Sequence, residues 1–299
     1  MPELPEVENL RLGLERSIVL QKIMGVKVLK PKLVSGKGTI RIADTKKVKE
    51  FENGLTNETF SKIERRAKNL IFRFKSGKVL LVHLKMSGQF VYKHKNNEKK
   101  VIGGHPIEIS EKEIPNKHTH VTFKLNNGSL YYNDTRMFGY LLYYDSEKTF
   151  DTARHFEFLG LEPLSKKFTL KYLVESLKKK NGKIKAVLMN QEIVTGLGNI
   201  YADETLFESK INPTRPASSL KKEEIKLLYN AIIRIIRRAI KVGGSSVATY
   251  KLLDESTGNY AREHKVYGKS KEKCPRCDEA LQKTVIQTRT TVFCSNCQK

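Results

Sequence analysis

Only four cysteines occur in this chain, and they stand as two pairs, Cys274-Pro-Arg-Cys277 and Cys294-Ser-Asn-Cys297. Each Cys-x-x-Cys pair can set two sulfurs on a tight knuckle, and four thiolates complete a closed tetrahedron around zinc. With no ligand position left open, the expected cofactor is one structural Zn2+, not a catalytic metal. Paired disulfides are the alternative, but they belong to oxidising compartments. The opening Met1-Pro2-Glu3-Leu4-Pro5-Glu6 has neither the basic nor the apolar region of an export signal, so a cytoplasmic chain is expected. Between the pairs, residues 281–285 and 290–293 read as the strands of a hairpin. Arg276, Lys283 and Arg289 give that hairpin the sign of charge that phosphate attracts.

The rest of the chain carries the same sign. Lysine and arginine number 56 against 32 acidic residues, a formal charge of +24. A field of that sign draws in phosphate polymers and speeds encounter with them. The most apolar long stretch, 225–240, is interrupted by Lys226, Arg234, Arg237 and Arg238, which excludes a membrane span. Hydrophobic residues make up 39% of 299, enough for a core and, at this length, for about two domains.

Periodicity divides the chain. Residues 2–17 read as a helix with proline near its start. From about 20 to 144 the texture is that of strands. Ile71-Phe-Arg-Phe74, Ser76-Gly77 and Val79-Leu-Leu-Val82 form one hairpin signature; Val121-Thr-Phe-Lys-Leu125, Asn127-Gly128 and Leu130-Tyr-Tyr132 form another. The polar stretch 93–118 reads as a surface loop. After about 150 the period turns helical. Leu170, Leu173, Val174 and Leu177 make one stripe, and Ile184, Val187 and Leu188 begin a second. The longest helix is expected over 221–242, closed by Gly243-Gly244.

Five blocks then carry a resemblance. Met1-Pro-Glu-Leu-Pro-Glu-Val-Glu8, Glu64-Arg-Arg-Ala-Lys68, His83-Leu-Lys-Met-Ser-Gly88, Asp134-Thr-Arg-Met-Phe-Gly139 and Gly196-Leu-Gly-Asn-Ile-Tyr-Ala-Asp-Glu204 resemble, in order, those of the bacterial formamidopyrimidine-DNA glycosylases. The four-cysteine tail resembles theirs too, so the likeness spans the chain. It implies an α+β protein in three parts. These are an N-terminal helix with a β-sandwich (1–150), a helical domain with a helix–two-turn–helix motif (151–265) and a zinc-finger hairpin (266–299). The implied partner is double-stranded DNA bearing oxidised bases or abasic sites, engaged by a monomer without membrane involvement.

On its own Pro2 is only a helix-start proline. The resemblance makes it the nucleophile. A small second residue permits removal of Met1, and a free α-amine titrates near ~8, leaving a useful neutral fraction. Such an amine can attack the anomeric carbon and displace the damaged base; the resulting iminium then drives elimination of the 3′ phosphate. By the same resemblance Glu3 is a general acid–base toward the sugar and Glu6 holds the N-terminal charge. Lys68 reaches the lesion phosphate, and Arg289 grips phosphates around the flipped nucleotide.

Extruding a nucleotide leaves a hole. The resemblance assigns Met86, Arg136 and Phe138 to fill it, with arginine hydrogen-bonding the orphaned base, preferentially cytosine. His83 belongs to the same DNA-binding set, and Asn199, opening a helix after Gly196-Leu-Gly198, suits a phosphate cradle. Three departures stand out: Met137 replaces a second, phosphate-binding arginine, the 93–118 stretch is long, and residues 254–260 differ in composition from the family's lesion-closing loop. A sister family that prefers oxidised pyrimidines usually has glycine at position four, so Leu4 favours the purine branch. A catalytically silent zinc protein would be expected to lack Pro2, Glu3 or Lys68, and an RNA-binding reading rests on charge alone.

Overall fold

The computed structural model describes residues 1–36, 42–96, 100–104 (backbone only), 114–245 and 260–299. The chain divides into two units. Met1–Phe156 with Gly243–Asn259 form one; Glu157–Val242 with Tyr260–Lys299 form the other.

Among the described residues of the first unit, helix α1 (Leu4–Ile18) precedes nine strands: β1 (Ile23–Val28), β2 (Phe60–Arg66), β3 (Asn69–Phe74), β4 (Val79–His83), β5 (Gly88–His94), β6 (Lys100–Gly104), β7 (Thr119–Leu125), β8 (Gly128–Asp134) and β9 (Tyr140–Tyr144). They form a five-stranded sheet, β1-β7-β8-β5-β6, and a four-stranded one, β2-β3-β4-β9. All pairings are antiparallel. Period-two alternation decides which face each side chain takes. Leu70, Phe72 and Phe74 turn inward to meet Phe90, Tyr132 and Phe123 from the other sheet, with the Phe72 and Phe90 rings 5.6 Å apart. Ile71, Val79 and Leu81 turn outward and are covered by Phe150 of α3 (Glu147–Thr152).

Two expectations need correction here. The strand-like texture from 20 to 144 is broken by helix α2 (Thr45–Leu55), capped by the Asp44 carboxylate accepting from Lys46 N and Lys47 N. Its core face is Phe51 and Leu55, with Val48 half-buried beside them. That helical spacing lies within a lysine-rich segment that masks it. Within the expected loop 93–118, Lys100–Gly104 form the edge strand β6, paired to β5 in register Val91↔Ile102. The β-branched pair Val101-Ile102 is the residue type that a strand favours.

The second unit contains α4 (Leu170–Lys178), α5 (Ile184–Met189), α6 (Asn199–Glu208), α7 (Lys222–Lys241), the short α8 (Tyr260–Glu263), and the hairpin β10 (Gln282–Ile286) and β11 (Arg289–Phe293). In α7, Ile225, Leu228, Ile232, Ile236 and Ala239 line the buried stripe. The hairpin's own core is small: Phe207, Val266, Leu281 and Val292 around Cys274 and Cys294.

Candidate active site

At one end of the sandwich, β4 closes at His83 and β3 opens at Asn69, its Cα partner. The two-residue turn Ala67-Lys68 joins β2 to β3 there, with Ala67 in the left-handed region (φ 54). Helix α1 runs antiparallel to β2 and is stitched to it. Arg11 Nη1 donates to Ile63 O at 3.3 Å, and Arg65 Nε to Glu8 Oε2 at 2.7 Å. Descending in number along the helix thus ascends along β2, so the start of α1 is directed to the Lys68 turn. Arg65 Nη1 also donates to Ala67 O at 3.0 Å, fastening the turn itself. Burial pushes the Glu8 carboxyl up, but hydrogen bonds and charge from Arg11 and Arg65 outweigh it and hold it below the ordinary range.

Pro2, Glu3, Glu6 and Lys68 are all buried. Glu6 forms the polar joint of this corner. One oxygen accepts from Glu3 N at 2.8 Å and the other from Ser245 N at 2.7 Å. Gly244 must be glycine for this approach: its φ is +83, and a Cβ would come within 2.7 Å of Glu6 Oε1. Of the expected lesion-closing loop 254–260, residues 254–259 lie outside the described part, and Tyr260 is buried at the start of a short helix.

His83 is held neutral. Burial, with the charges of Lys85 and Lys68 beside it, lowers it to about 3. Its Nδ1 accepts from Lys85 N at 2.9 Å, which leaves the proton on Nε2 as a hydrogen-bond donor. Met86 lies on the turn between β4 and β5, half-buried and outside the core. Arg136 and Phe138 stand exposed on the β8–β9 loop, the guanidinium 4.8 Å from the ring centroid. Met137 turns the other way, against the sandwich core, with φ 52. Lys68, His83, Met86, Arg136 and Phe138 therefore gather at one end of one unit. His118 joins them without having been singled out in the sequence: its carbonyl accepts from Asp134 N at 3.0 Å. The sequence signal was the Lys117-His118 pair just before β7.

In the second unit, Asn199 opens α6, and its side-chain oxygen is buried without a partner. An amide so placed suits an external donor or a rotated amide facing an acceptor. Arg289 is exposed at the hairpin tip, after Gln287 and Thr288, both of positive φ. Two features missed in the sequence fasten α6, one to α5 and the hairpin and the other to residues 265–267. Lys185 pairs with Asp203 at 2.7 Å, both side chains wholly buried, and donates to Thr290 O and Thr291 Oγ1 at 3.0 and 2.8 Å. Glu204 accepts the amides of Lys265, Val266 and Tyr267 at 2.9–3.1 Å. Neither was legible, because a charged residue at a buried helix position looks like a surface one.

The four sulfurs all lie within 4.8 Å of one another. A zinc–sulfur bond of ~2.3 Å sets tetrahedral sulfurs about 3.8 Å apart. Cys274 and Cys297 are 3.9 Å apart, Cys277 and Cys294 3.5 Å. Arg276 N and Cys297 N each point at a sulfur at 3.4 Å. The donor set fits one closed, structural zinc ion.

A sandwich with a polar, cationic end, a helical unit with a glycine-led helix start, and a four-thiolate hairpin together define a DNA-binding protein of the glycosylase class. The chain belongs to the formamidopyrimidine-DNA glycosylase family. The family's N-terminal domain matches residues 1–141, its H2TH domain residues 159–251, and the zinc finger found in FPG and IleRS residues 271–299. A formamidopyrimidine-DNA glycosylase of Ligilactobacillus salivarius is 38% identical over 100% of this chain and 99% of its own, and one of Bacillus cereus is 40% identical with the same coverage. The Lactococcus lactis Fpg, solved in complex with DNA containing an abasic site, superposes with a TM-score of 0.84 at 36% identity, covering 99% of both chains. Another Lactococcus lactis structure, of a mutant Fpg with DNA containing Fapy-dG, gives the same TM-score and identity over 100% of both. Among the described residues no helix is long and apolar enough to cross a membrane.

Proposed function

We propose that this chain excises oxidised purines from duplex DNA, 8-oxoguanine and formamidopyrimidines among them, and cleaves the resulting abasic site, with Pro2 as nucleophile. The observation that carries this is the gathering of the start of α1, the Lys68 turn, His83, Met86, Arg136 and Phe138 at one end of the sandwich. The Lactococcus lactis relative's complexes with abasic and Fapy-dG DNA support the substrate class.

Once Met1 is removed, the Pro2 nitrogen attacks C1′ and the bond from C1′ to the base breaks, the base leaving with a proton. Glu3 supplies or takes the proton at the sugar oxygen as the ring opens to an iminium. The iminium acidifies C2′; loss of that proton expels the 3′ phosphate, and a second elimination releases the 5′ side. Glu6 does no bond-making. It holds the Glu3 amide and hence the direction of the N-terminus. Lys68 and neutral His83 hold phosphate, one by charge and one by its Nε2–H. Met86 and Phe138 fill the vacated stack while Arg136 reads the base left behind. Asn199 and Arg289 grip the backbone as a phosphate cradle and a finger. The zinc ion supplies only the hairpin's fold. The protein acts as a cytoplasmic monomer.

Borohydride trapping of the untagged chain on a duplex carrying 8-oxoguanine opposite cytosine tests this. A covalent adduct, absent from Pro2→Gly while DNA affinity is kept, is expected. An adduct of undiminished yield in Pro2→Gly would remove the nucleophile assignment, and trapping only on oxidised pyrimidines would move the substrate to the sister class.

A further inference from the structure

Both chain crossings between the two sheets at the active end run through one buried carboxylate. The turn 84–87 carries the chain from the four-stranded sheet to the five-stranded one and presents Met86. The loop 135–139 carries it back and presents Arg136 and Phe138. Asp134, wholly buried, lies between them. Ser87 Oγ donates to Asp134 Oδ1, and the same hydroxyl accepts from Arg136 N at 3.0 Å. Gly139 N donates to Asp134 Oδ2 at 2.7 Å, with the Tyr132 hydroxyl 3.4 Å from that oxygen. A Cβ on Gly139 would collide with the Tyr132 hydroxyl, and one on Gly88 would come within 2.5 Å of Leu84 O, so both crossings close around this carboxylate without slack.

A buried carboxylate is costly unless several donors answer it. Here the answering donors are two loop amides, one of them through Ser87, and hydroxyls from the neighbouring turn and strand. A sandwich does not need such a charge to fold, because its core is already continuous across both sheets. We propose that Asp134, acting through Ser87, is a positioning element that locks Met86, Arg136 and Phe138 into one rigid reader, so that filling the hole and reading the opposite base are a single event. This rests on the proposed function, since it assigns how that site achieves its opposite-base preference.

The consequence is selective. Substrates with an opposite base need the reader; an abasic site in single-stranded DNA offers none. In the full zinc-loaded chain, Ser87→Ala is expected to slow single-turnover excision of 8-oxoguanine opposite cytosine about tenfold, the effect of leaving a buried donor and acceptor unpaired. The preference for cytosine over adenine opposite the lesion should narrow with it. Cleavage of a single-stranded abasic site should be unchanged, and Ser87→Thr, which keeps the hydroxyl, should restore the preference. Should Ser87→Ala leave excision and preference intact, or depress single-strand cleavage in the same proportion, the network would be purely structural and the inference overturned. A wild-type chain that traps no lesion would instead overturn the proposed function, and this inference with it.

Discussion

Each unit buries an aspartate completely, and the two are answered in different ways. Asp134 in the first unit is met by a serine hydroxyl, a loop amide and a tyrosine hydroxyl. Asp203 in the second is met by the Lys185 ammonium; burial pushes its carboxyl up while the lysine pulls it back. The contrast follows from what surrounds them. The first unit has a two-sheet aromatic core, so its carboxylate has only loops to arrange. The hairpin of the second rests on a few residues, two of them metal ligands, so the ion pair and the zinc ion carry its fold. Removing a polar tie should therefore cost activity in the first unit and folding in the second.

The largest effect expected is from Cys294→Ser. A structural zinc contributes on the order of 10–16 kcal/mol of apparent binding energy that is also folding energy, and this cysteine is buried within the hairpin core. Zinc content should fall to nothing and lesion-DNA binding should be lost, while sandwich signals in a methyl NMR spectrum persist. If the sandwich resonances collapsed together with the hairpin's, the two units would not differ in the way described.

Next is Lys185→Met. Stripping the cation leaves a buried carboxylate uncompensated, which costs about 3–5 kcal/mol. Urea unfolding of the second unit should show that loss, and Asp203→Asn added to Lys185→Met should recover most of it. A single variant within experimental error of wild type would show that the pair contributes nothing to holding the hairpin.

How much of this was readable in advance depends on the interaction that decided each feature. Alternation in Ile71-Phe-Arg-Phe74 and the Asn127-Gly128 turn are local, and β3, β4, β7 and β8 lie where they were expected. So are the cysteine pairs, whose spacing is itself the constraint. Helix α2 was hidden because Lys46, Lys47 and Lys49 surround the three apolar residues that define its face. The gathering of site residues was legible only through resemblance, since His83 meets the Lys68 turn by a strand register that no local pattern records. Ser87 and Lys185 were invisible as functional residues for a further reason. Nothing in a serine or lysine's own identity says that its partner will be a carboxylate 47 or 18 positions away, as Asp134 and Asp203 are.

The smallest effect concerns protons, and it compares one histidine from each unit. His83 is lowered from 6.5 to about 3 by burial and by the charges of Lys85 and Lys68. His264 is lowered from 6.5 to about 4, mainly by burial, with Lys269 adding to it. A depressed folded value means that the unfolded chain takes up the proton first. Each histidine therefore contributes stability that is full above pH 6.5 and drains away as pH falls toward its folded value. Melting temperature should decline as pH drops below about 6.5, while imidazole resonances of both histidines stay neutral across that range. Lys85→Ala separates the two: it removes a charge that acts on His83 and not on His264, so the His83 resonance should begin to titrate at higher pH while His264 does not move. If His83 titrates near its ordinary value in the wild type, it is solvated, and its reading as a neutral Nε2–H donor to phosphate fails. A shift of both histidines in Lys85→Ala would mean instead that long-range charge, rather than local burial, sets them in both units.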